Sequence, residues 1–368
     1  MIRGGGLARI VTVYNDRPPA LVNMAYVRWF RMAEALARLG HQVDIAANDD
    51  AGWRWWRRPP RDLAPNLRRV PLARVRWDAY DVVKVSYQEG FEILEKYGGA
   101  DHRFIISRLG SVVGPEDADG FLFHGAMRER LYHAQRRMSE ASRCIAVLNP
   151  SARELWIRCF GAGLPVLLVP GAADSHIPPP SCNPYPDDGA ARCLFAGNLS
   201  WRNYAPLANA TLSDKLNRLG ALLLPYGIRL YAIGPGDADR LDPSYVTHLG
   251  AVPYERSWSY LQFADVGVEL IKGSRFLHNN ESSKIYHYLR AGLPVVTEAG
   301  LPNTGVVEEA RLGFVVASGD LESIAQKVGE AAQVRWDRAY AVEYILQHHT
   351  WEQRALVYHQ FLTTNLPT

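Results

Sequence analysis

The chain has 368 residues and is 48% hydrophobic, too long for one ordinary core, so two well-buried domains are expected. A formal net charge of +3 gives no reason of itself to expect a nucleic-acid partner, and no stretch approaches the ~18 to 20 continuous apolar residues of a membrane-spanning helix. Cys144, Cys159, Cys182 and Cys193 lack the close pairing of a zinc site and the density of a disulfide scaffold, so reduced thiols in the cytoplasm are expected.

The first apolar run, Ile10 to Tyr14, is too short for the apolar region of a signal peptide and reads as part of a buried strand, Arg9 to Asn15. From Val27 a helical stripe (Phe30, Ala33, Leu36, Ala37) runs to a stop at Gly40 and is followed by a second strand. Strand, helix and strand in that order imply a parallel sheet with a right-handed crossover. Further strands are expected at Asp81 to Ser86, Arg103 to Ile106, Cys144 to Leu148 and Val166 to Val169, with a helix over Pro150 to Phe160. The stretch Ala173 to Gly189 is rich in proline and polar residues and has no hydrophobic period, as an interdomain connection would. The α/β pattern then restarts. Strands are expected at Arg192 to Ala196, Arg229 to Ile233, Val246 to Leu249, Asp265 to Leu270 and Pro294 to Thr297. Helices are expected at Ala205 to Leu224, Glu255 to Phe263, Ser282 to Ala291 and Leu321 to Ala332, with a last helical segment over Trp336 to Leu362.

The stretch Asn279 to Gly300, NNESSKIYHYLRAGLPVVTEAG, carries the most chemical information. Glu281, Ser282 and Ser283 suit a helix start, and Gly292 suits its end. A helix start offers unpaired amide donors and the positive end of the helix dipole, and Lys284 in the first turn adds a full charge. Together these suit a nucleoside diphosphate leaving group, whose developing charge would meet donors already in place. An ordinary capped surface helix fits the spacing equally well.

The order LFAGNLS (194–200), IRLYAIGPG (228–236), VTHLGAVPYERSWSYLQFADVGVELI (246–271), SSKIYHYLRAGLPVV (282–296) and LGFVVASGD (312–320) resembles the C-terminal domain of GT-B glycosyltransferases, especially the retaining family-four group. Upstream, SEASRCIAVLNPSARELWI (139–157) and VLLVPGAAD (166–174) resemble that family's last N-terminal-domain elements. The resemblance implies that the loop containing Gly197 and Asn198 faces the diphosphate. There the family usually has an arginine and a lysine; the matching positions hold Asn198 and Asn203, with Arg202 beside the second. The family's two glutamates, eight residues apart, fall at Asn279 and His287, so neither acid is kept. Related transferases, including glucuronosyltransferase-like members, carry a lysine three residues before the ribose-binding glutamate, and Lys284 fits that lysine. His287 is either a ribose ligand or a structural helix histidine. Glu281 is either a displaced acid or a charge favourable to the helix dipole.

In the first half, the loop after the first strand (DRPPALVNMAYVRW, 16–29) lacks the glycines that GT-B enzymes usually present there. Asn15, Asp16 and Arg17 are candidates by their place at a strand's carboxyl end, and Asp16 would be the general base if the reaction inverts. A turn aspartate before Pro18 and Pro19 is the competing role. Between residues 51 and 77, Trp53, Trp55, Trp56 and Trp77 alternate with arginines, a combination that suits either peripheral membrane contact or a solvated loop whose tryptophans pack inward. No recognised nucleic-acid module accompanies it. The Asp237 to Arg240 stretch holds an Asp-x-Asp pattern, but in a polar turn, so no catalytic metal is expected.

The fold expected is α/β, two Rossmann-like domains facing across a cleft (GT-B), with a C-terminal helix crossing back to the first domain. The expected divisions are an acceptor domain at 1–175, a linker at 176–190, a nucleotide-sugar domain at 191–340 and a final helix at 341–368. The activity expected is hexosyl or glycuronosyl transfer from a nucleotide diphosphate sugar to a glycan or lipid-linked hydroxyl, with retention favoured by the resemblance. No cofactor and no nucleic acid are expected, and the location expected is the cytoplasm, with contact at the inner face of the membrane through 51–77. A nucleotide-sugar epimerase of the same architecture and a non-catalytic nucleotide-binding scaffold are the rival readings.

Overall fold

The computed structural model describes residues 7–14, 24–47, 61–114, 125–200, 206–271 and 279–366. Eight strands form the first sheet: β1 (Arg9–Val13), β2 (Gln42–Ala46), β3 (Arg61–Ala64), β4 (Leu67–Val70), β5 (Val82–Ser86), β6 (Ile105–Arg108), β7 (Cys144–Val147) and β8 (Val166–Leu168). Their spatial order is β3-β4-β2-β1-β5-β6-β7-β8, and every pairing is parallel except β3 with β4. Helices α1 (Met24–Arg38), α2 (Tyr87–Lys96), α3 (Gly125–Ala141) and α4 (Pro150–Phe160) accompany it. The central strands β5, β6 and β7 are buried at every position, and β5 and β6 carry Lys84, Ser86, Ser107 and Arg108 into that interior among their apolar residues.

The second sheet has six strands, β9 (Ala191–Ala196), β10 (Ile228–Ile233), β11 (Val246–His248), β12 (Val266–Glu269), β13 (Val295–Glu298) and β14 (Gly313–Val316). It is wholly parallel in the order β11-β10-β9-β12-β13-β14, the doubly wound arrangement of a dinucleotide-binding domain. Its helices are α5 (Pro206–Leu223), α6 (Tyr254–Gln262), α7 (Ser283–Arg290), α8 (Gly305–Glu309) and α9 (Leu321–Gln333).

The last helical segment is two helices, α10 (Arg338–His348) and α11 (Trp351–Asn365), where the sequence pattern reads as one. The break has a local cause: Thr350 leaves the helix to bridge Ala173 in parallel fashion and caps α11 through Gln353 N. α10 packs on α7, and α11 packs on α1, with Trp351, Tyr358 and Leu362 joining Ile10 and Ile106 in the first lobe's core. Trp351 Nε1 also donates to Asp174 Oδ1 at 2.9 Å. The chain therefore crosses back over the seam and ties the two lobes together.

The edge hairpin β3–β4, turning at Asn66 with φ 60°, uses part of the arginine- and tryptophan-rich stretch. Arg68 forks onto the buried Asp44, which also accepts from the Tyr80 hydroxyl at 2.7 Å. Trp77 donates to Tyr97 O at 2.7 Å and lies against Gly99. Trp53, Trp55 and Trp56 lie outside the described residues. Among the described residues, no helix is long and apolar enough to cross a membrane.

Candidate donor site between the lobes

The strand order of the second sheet reverses between β9 and β12, so the helices leaving these neighbours part and open a crevice at their carboxyl ends. Gly197 to Ser200 follow β9 there. The turn at Gly234 to Gly236 lies backbone to backbone against them: Gly197 N donates to Ile233 O at 2.8 Å and Leu199 N to Pro235 O at 2.9 Å. A β-carbon on Gly234, whose φ is 136°, would fall 2.1 Å from Gly197 O, so this turn requires glycine on both steric and conformational grounds.

Lys284, in the first turn of α7, runs into this crevice. A β-carbon on Gly197 would sit 2.4 Å from Lys284 Cε, so the missing side chain is what lets the lysine pass. Its Nζ lies 5.2 Å from the centre of the Phe195 ring and 2.9 Å from Glu269 Oε2. Glu269 ends β12 and its side chain is only 6% exposed. It was not among the residues anticipated from sequence; the available signal was a lone acid closing an apolar strand, VGVE.

The Ser282 side chain makes no capping hydrogen bond to α7, and its hydroxyl is buried without a hydrogen-bond partner. Asn303 holds the Ser282 backbone from both sides, accepting from its N at 3.1 Å and donating to its O at 2.8 Å. The Ser283 hydroxyl accepts from Arg28 of α1, a contact between the lobes. An uncapped helix start beside a lysine is a fit for an anion.

His287 lies one turn farther along α7, buried, edge-on to Trp258 at 5.3 Å and Tyr254 at 5.8 Å, with Nε2 unpartnered. Burial first, then the charges of Arg28 and Lys284, push its pKa down to about 3, so the ring is neutral near pH 7 and can exchange a hydrogen bond without carrying charge. Glu281 accepts from Gly171 N at 2.7 Å and from the Tyr286 hydroxyl at 3.3 Å, and burial raises its pKa. Asn279 spends both ends of its amide on the first lobe, accepting from Val112 N at 2.9 Å and donating to Val112 O at 3.0 Å. Glu281 and Asn279 thus join the lobes, whereas Gly197, Asn198, Lys284 and Glu269 surround the crevice of the second sheet. Asp16 and Arg202 lie outside the described residues.

Residues 223–341 match the family model described as Glucosyltransferase 3-like, C-terminal domain. No curated protein sequence matches the chain. Among solved structures it is similar to sucrose-phosphate synthase from Thermosynechococcus elongatus, at a TM-score of 0.64 and 15% identity over 96% of this chain and 98% of that one. AviGT4, a glycosyltransferase involved in avilamycin A biosynthesis, aligns at a TM-score of 0.64 and 16% identity over 98% of both chains. A trehalose-6-phosphate protein from E. coli bound with UDP-2-fluoro glucose aligns at 0.64 and 12% identity, over 98% of this chain and all 100% of that one. The two doubly wound sheets, the returning C-terminal helices and these likenesses give the chain the GT-B fold, and residues 223–341 of its second lobe are similar to the Glucosyltransferase 3-like C-terminal domain.

Proposed function

We propose that the chain transfers a hexosyl group from a nucleotide diphosphate sugar to a hydroxyl of a glycan or lipid-linked acceptor. The observation that carries this reading is Lys284 held beside Gly197 and Glu269, at the uncapped start of α7, where the second sheet's strand order reverses. One protein of similar structure is bound with UDP-2-fluoro glucose, which supports a uridine diphosphate sugar as the first donor to test.

In the reaction the acceptor oxygen bonds the anomeric carbon as that carbon's bond to the diphosphate oxygen breaks. The nucleoside diphosphate leaves with the bonding pair, and in a retaining reaction it takes the hydroxyl proton. Lys284 and the helix start balance the charge that grows on the diphosphate, in place of a metal ion. Gly197, Asn198 and Arg202 complete the diphosphate contacts, Ser282 and Ser283 offer hydroxyls, and His287 hydrogen-bonds a ribose hydroxyl as a neutral imidazole. Asp16 serves as base only if the reaction inverts. We assign 1–175 to the acceptor lobe, 176–190 to the linker, 191–340 to the donor lobe and 341–368 to the returning helical segment. The protein acts in the cytoplasm, with peripheral membrane contact through 51–77.

The test is release of nucleoside diphosphate from UDP-, GDP-, ADP- and TDP-sugars with glycan and lipid-linked acceptors, in the presence of EDTA. Acceptor-dependent release that Lys284→Ala abolishes is the expected result. A change in the sugar nucleotide without acceptor would instead indicate the epimerase reading, and nucleotide binding with no turnover across the panel would indicate the scaffold. Sedimentation with anionic vesicles tests the membrane contact.

A further inference from the structure

The first sheet has its own reversal of strand order, between β1 and β5, and its carboxyl end gathers the cations Arg108 and Arg28 about Tyr87, whose phenol also feels the charge of Glu89. Arg108, the last residue of β6, is 4% exposed; its Nη1 donates to the Tyr87 hydroxyl at 2.9 Å and to Leu109 O at 3.2 Å, while Nη2 has no hydrogen-bond partner. Arg28 meets the same phenol from α1 and also reaches Ser283, yet its Nε is buried and unpartnered. Ser86, in register with Arg108 across β5 and β6, has a buried hydroxyl that is also unpartnered. Deeper in the sheet, Lys84 is 2% exposed, with no hydrogen-bond partner for Nζ. The acid whose charge Arg28 feels, Glu281, already accepts from Gly171 N and the Tyr286 hydroxyl.

Buried cations are expected to be paired, so donors left over here are a cost that a ligand can repay. Tyr87 adds backbone strain, with φ at 62° for a bulky aromatic residue, of the kind that collects at binding and catalytic sites. The cluster lies at the seam. The loop after β6 covers Tyr87 at Gly110 and then clasps Asn279 through Val112, and Arg28 spans to Ser283. Parting the lobes would break the last two contacts and release Arg28 from Ser283.

We propose that the acceptor carries an anionic group, a phosphate or a carboxylate, which is seated on Arg108, Arg28 and Tyr87 at the carboxyl end of the first sheet. This rests on the reading above that the first lobe takes the acceptor. The two guanidiniums present forked donors suited to either oxyanion, and the Tyr87 and Ser86 hydroxyls complete the seat.

The test is calorimetry on the full chain saturated with UDP, titrated with glucose 6-phosphate, with glucuronate and with glucose at fixed ionic strength. Expected is at least tenfold tighter binding of a charged sugar than of glucose, lost in Arg108→Gln and only partly restored in Arg108→Lys, with UDP affinity within twofold of the parent in both. Arg28→Gln provides a second removal of charge should Arg108→Gln not fold. Equal binding of charged and neutral sugars, or a preference that survives both removals, would overturn the proposal. So would a tenfold loss of UDP affinity in Arg108→Gln, or an Arg108-dependent preference for UDP-glucuronate over UDP-glucose, since each assigns the cations to the donor. Absence of UDP binding in the parent, with the charge preference among free sugars intact, would remove the donor reading and leave this one supported.

Discussion

Lys284 Nζ lies 2.9 Å from the carboxylate of Glu269, so the cation proposed for the diphosphate is oriented by an acid that ends the neighbouring strand. Removing the lysine alone would strand a buried charge, which typically costs about 3–5 kcal/mol. Lys284→Ala should therefore lower both the melting temperature and nucleotide affinity. In Lys284→Ala with Glu269→Gln the two effects should separate: the melting temperature largely recovers, while nucleoside diphosphate affinity stays about tenfold or more below the parent, as expected for a lost charge-assisted hydrogen bond. Recovery of affinity in the double variant would count against Lys284 as a diphosphate ligand.

Gly197→Ala gives a sharper separation. The added β-carbon meets the flexible end of Lys284 rather than backbone, and Gly197 has no positive φ, so the fold can yield cheaply. The variant should melt within a few degrees of the parent yet bind nucleotide several-fold more weakly, by calorimetry. Unchanged affinity would mean that the lysine's path past Gly197 is not the one used with ligand bound.

The alternation of helices and parallel strands was readable along most of the chain, because strands such as VVKVS at 82–86 and VGVE at 266–269 are buried throughout and rich in valine. The β3–β4 hairpin was not, since its stretch from 61 to 70 fully buries only Leu67 and Val70 among the residues whose burial is described, with no regular alternation, and is held besides by an edge pairing and by Arg68 on Asp44. At the site, Lys284 stood out because a charge in the first turn of a capped-looking helix has a local signature. Arg28 with Ser283, Asn279 with Val112 and Lys215 with Glu298 have none: the partners lie 255, 167 and 83 residues apart, and only the folded topology brings them together.

The Lys215–Glu298 pair holds the second lobe together behind the site. Glu298 is fully buried; it accepts from Lys215 Nζ at 2.7 and 2.8 Å, from Gly319 N at 2.7 Å and from Ile271 N. Lys215→Met leaves that carboxylate without its cation and should destabilise the protein by about 3–5 kcal/mol. Denaturant unfolding measures this directly, and a loss below about 1 kcal/mol would indicate that the amide donors alone suffice.

Acid should loosen the fold through the buried His41 and His287 and the partly buried His349. Burial is the first cause in each of His41, His287 and His349, and it pushes them down to about 4, 3 and 4. The unfolded chain binds protons at these sites near pH 6.5 and the folded chain does not. Their stabilising contribution is therefore complete above about pH 6.5 and lost as pH falls toward 3–4. Replacing His287 by Gln should flatten part of that decline in melting temperature between pH 6.5 and 4, and an unaltered slope would contradict its neutral burial.

Lys84 works in the opposite pH range. Burial, followed by the charge of Arg108, lowers it to about 7, so the unfolded chain holds a proton that the folded chain releases between about pH 7 and 10.5. Stability from this group rises with pH across that window and is lowest below pH 7. Lys84→Met should raise the melting temperature at pH 6.5 and narrow its lead over the parent by pH 9; destabilisation at pH 6.5 would show that Lys84 is a net structural support.

The most direct measurement of the central claim is a crystal structure of the full chain with a bound nucleoside diphosphate. The account predicts the pyrophosphate within hydrogen-bond reach of Lys284 Nζ, between the Gly197 loop and the start of α7. A nucleotide found away from that crevice, with Lys284 still engaged only by Glu269, would contradict it.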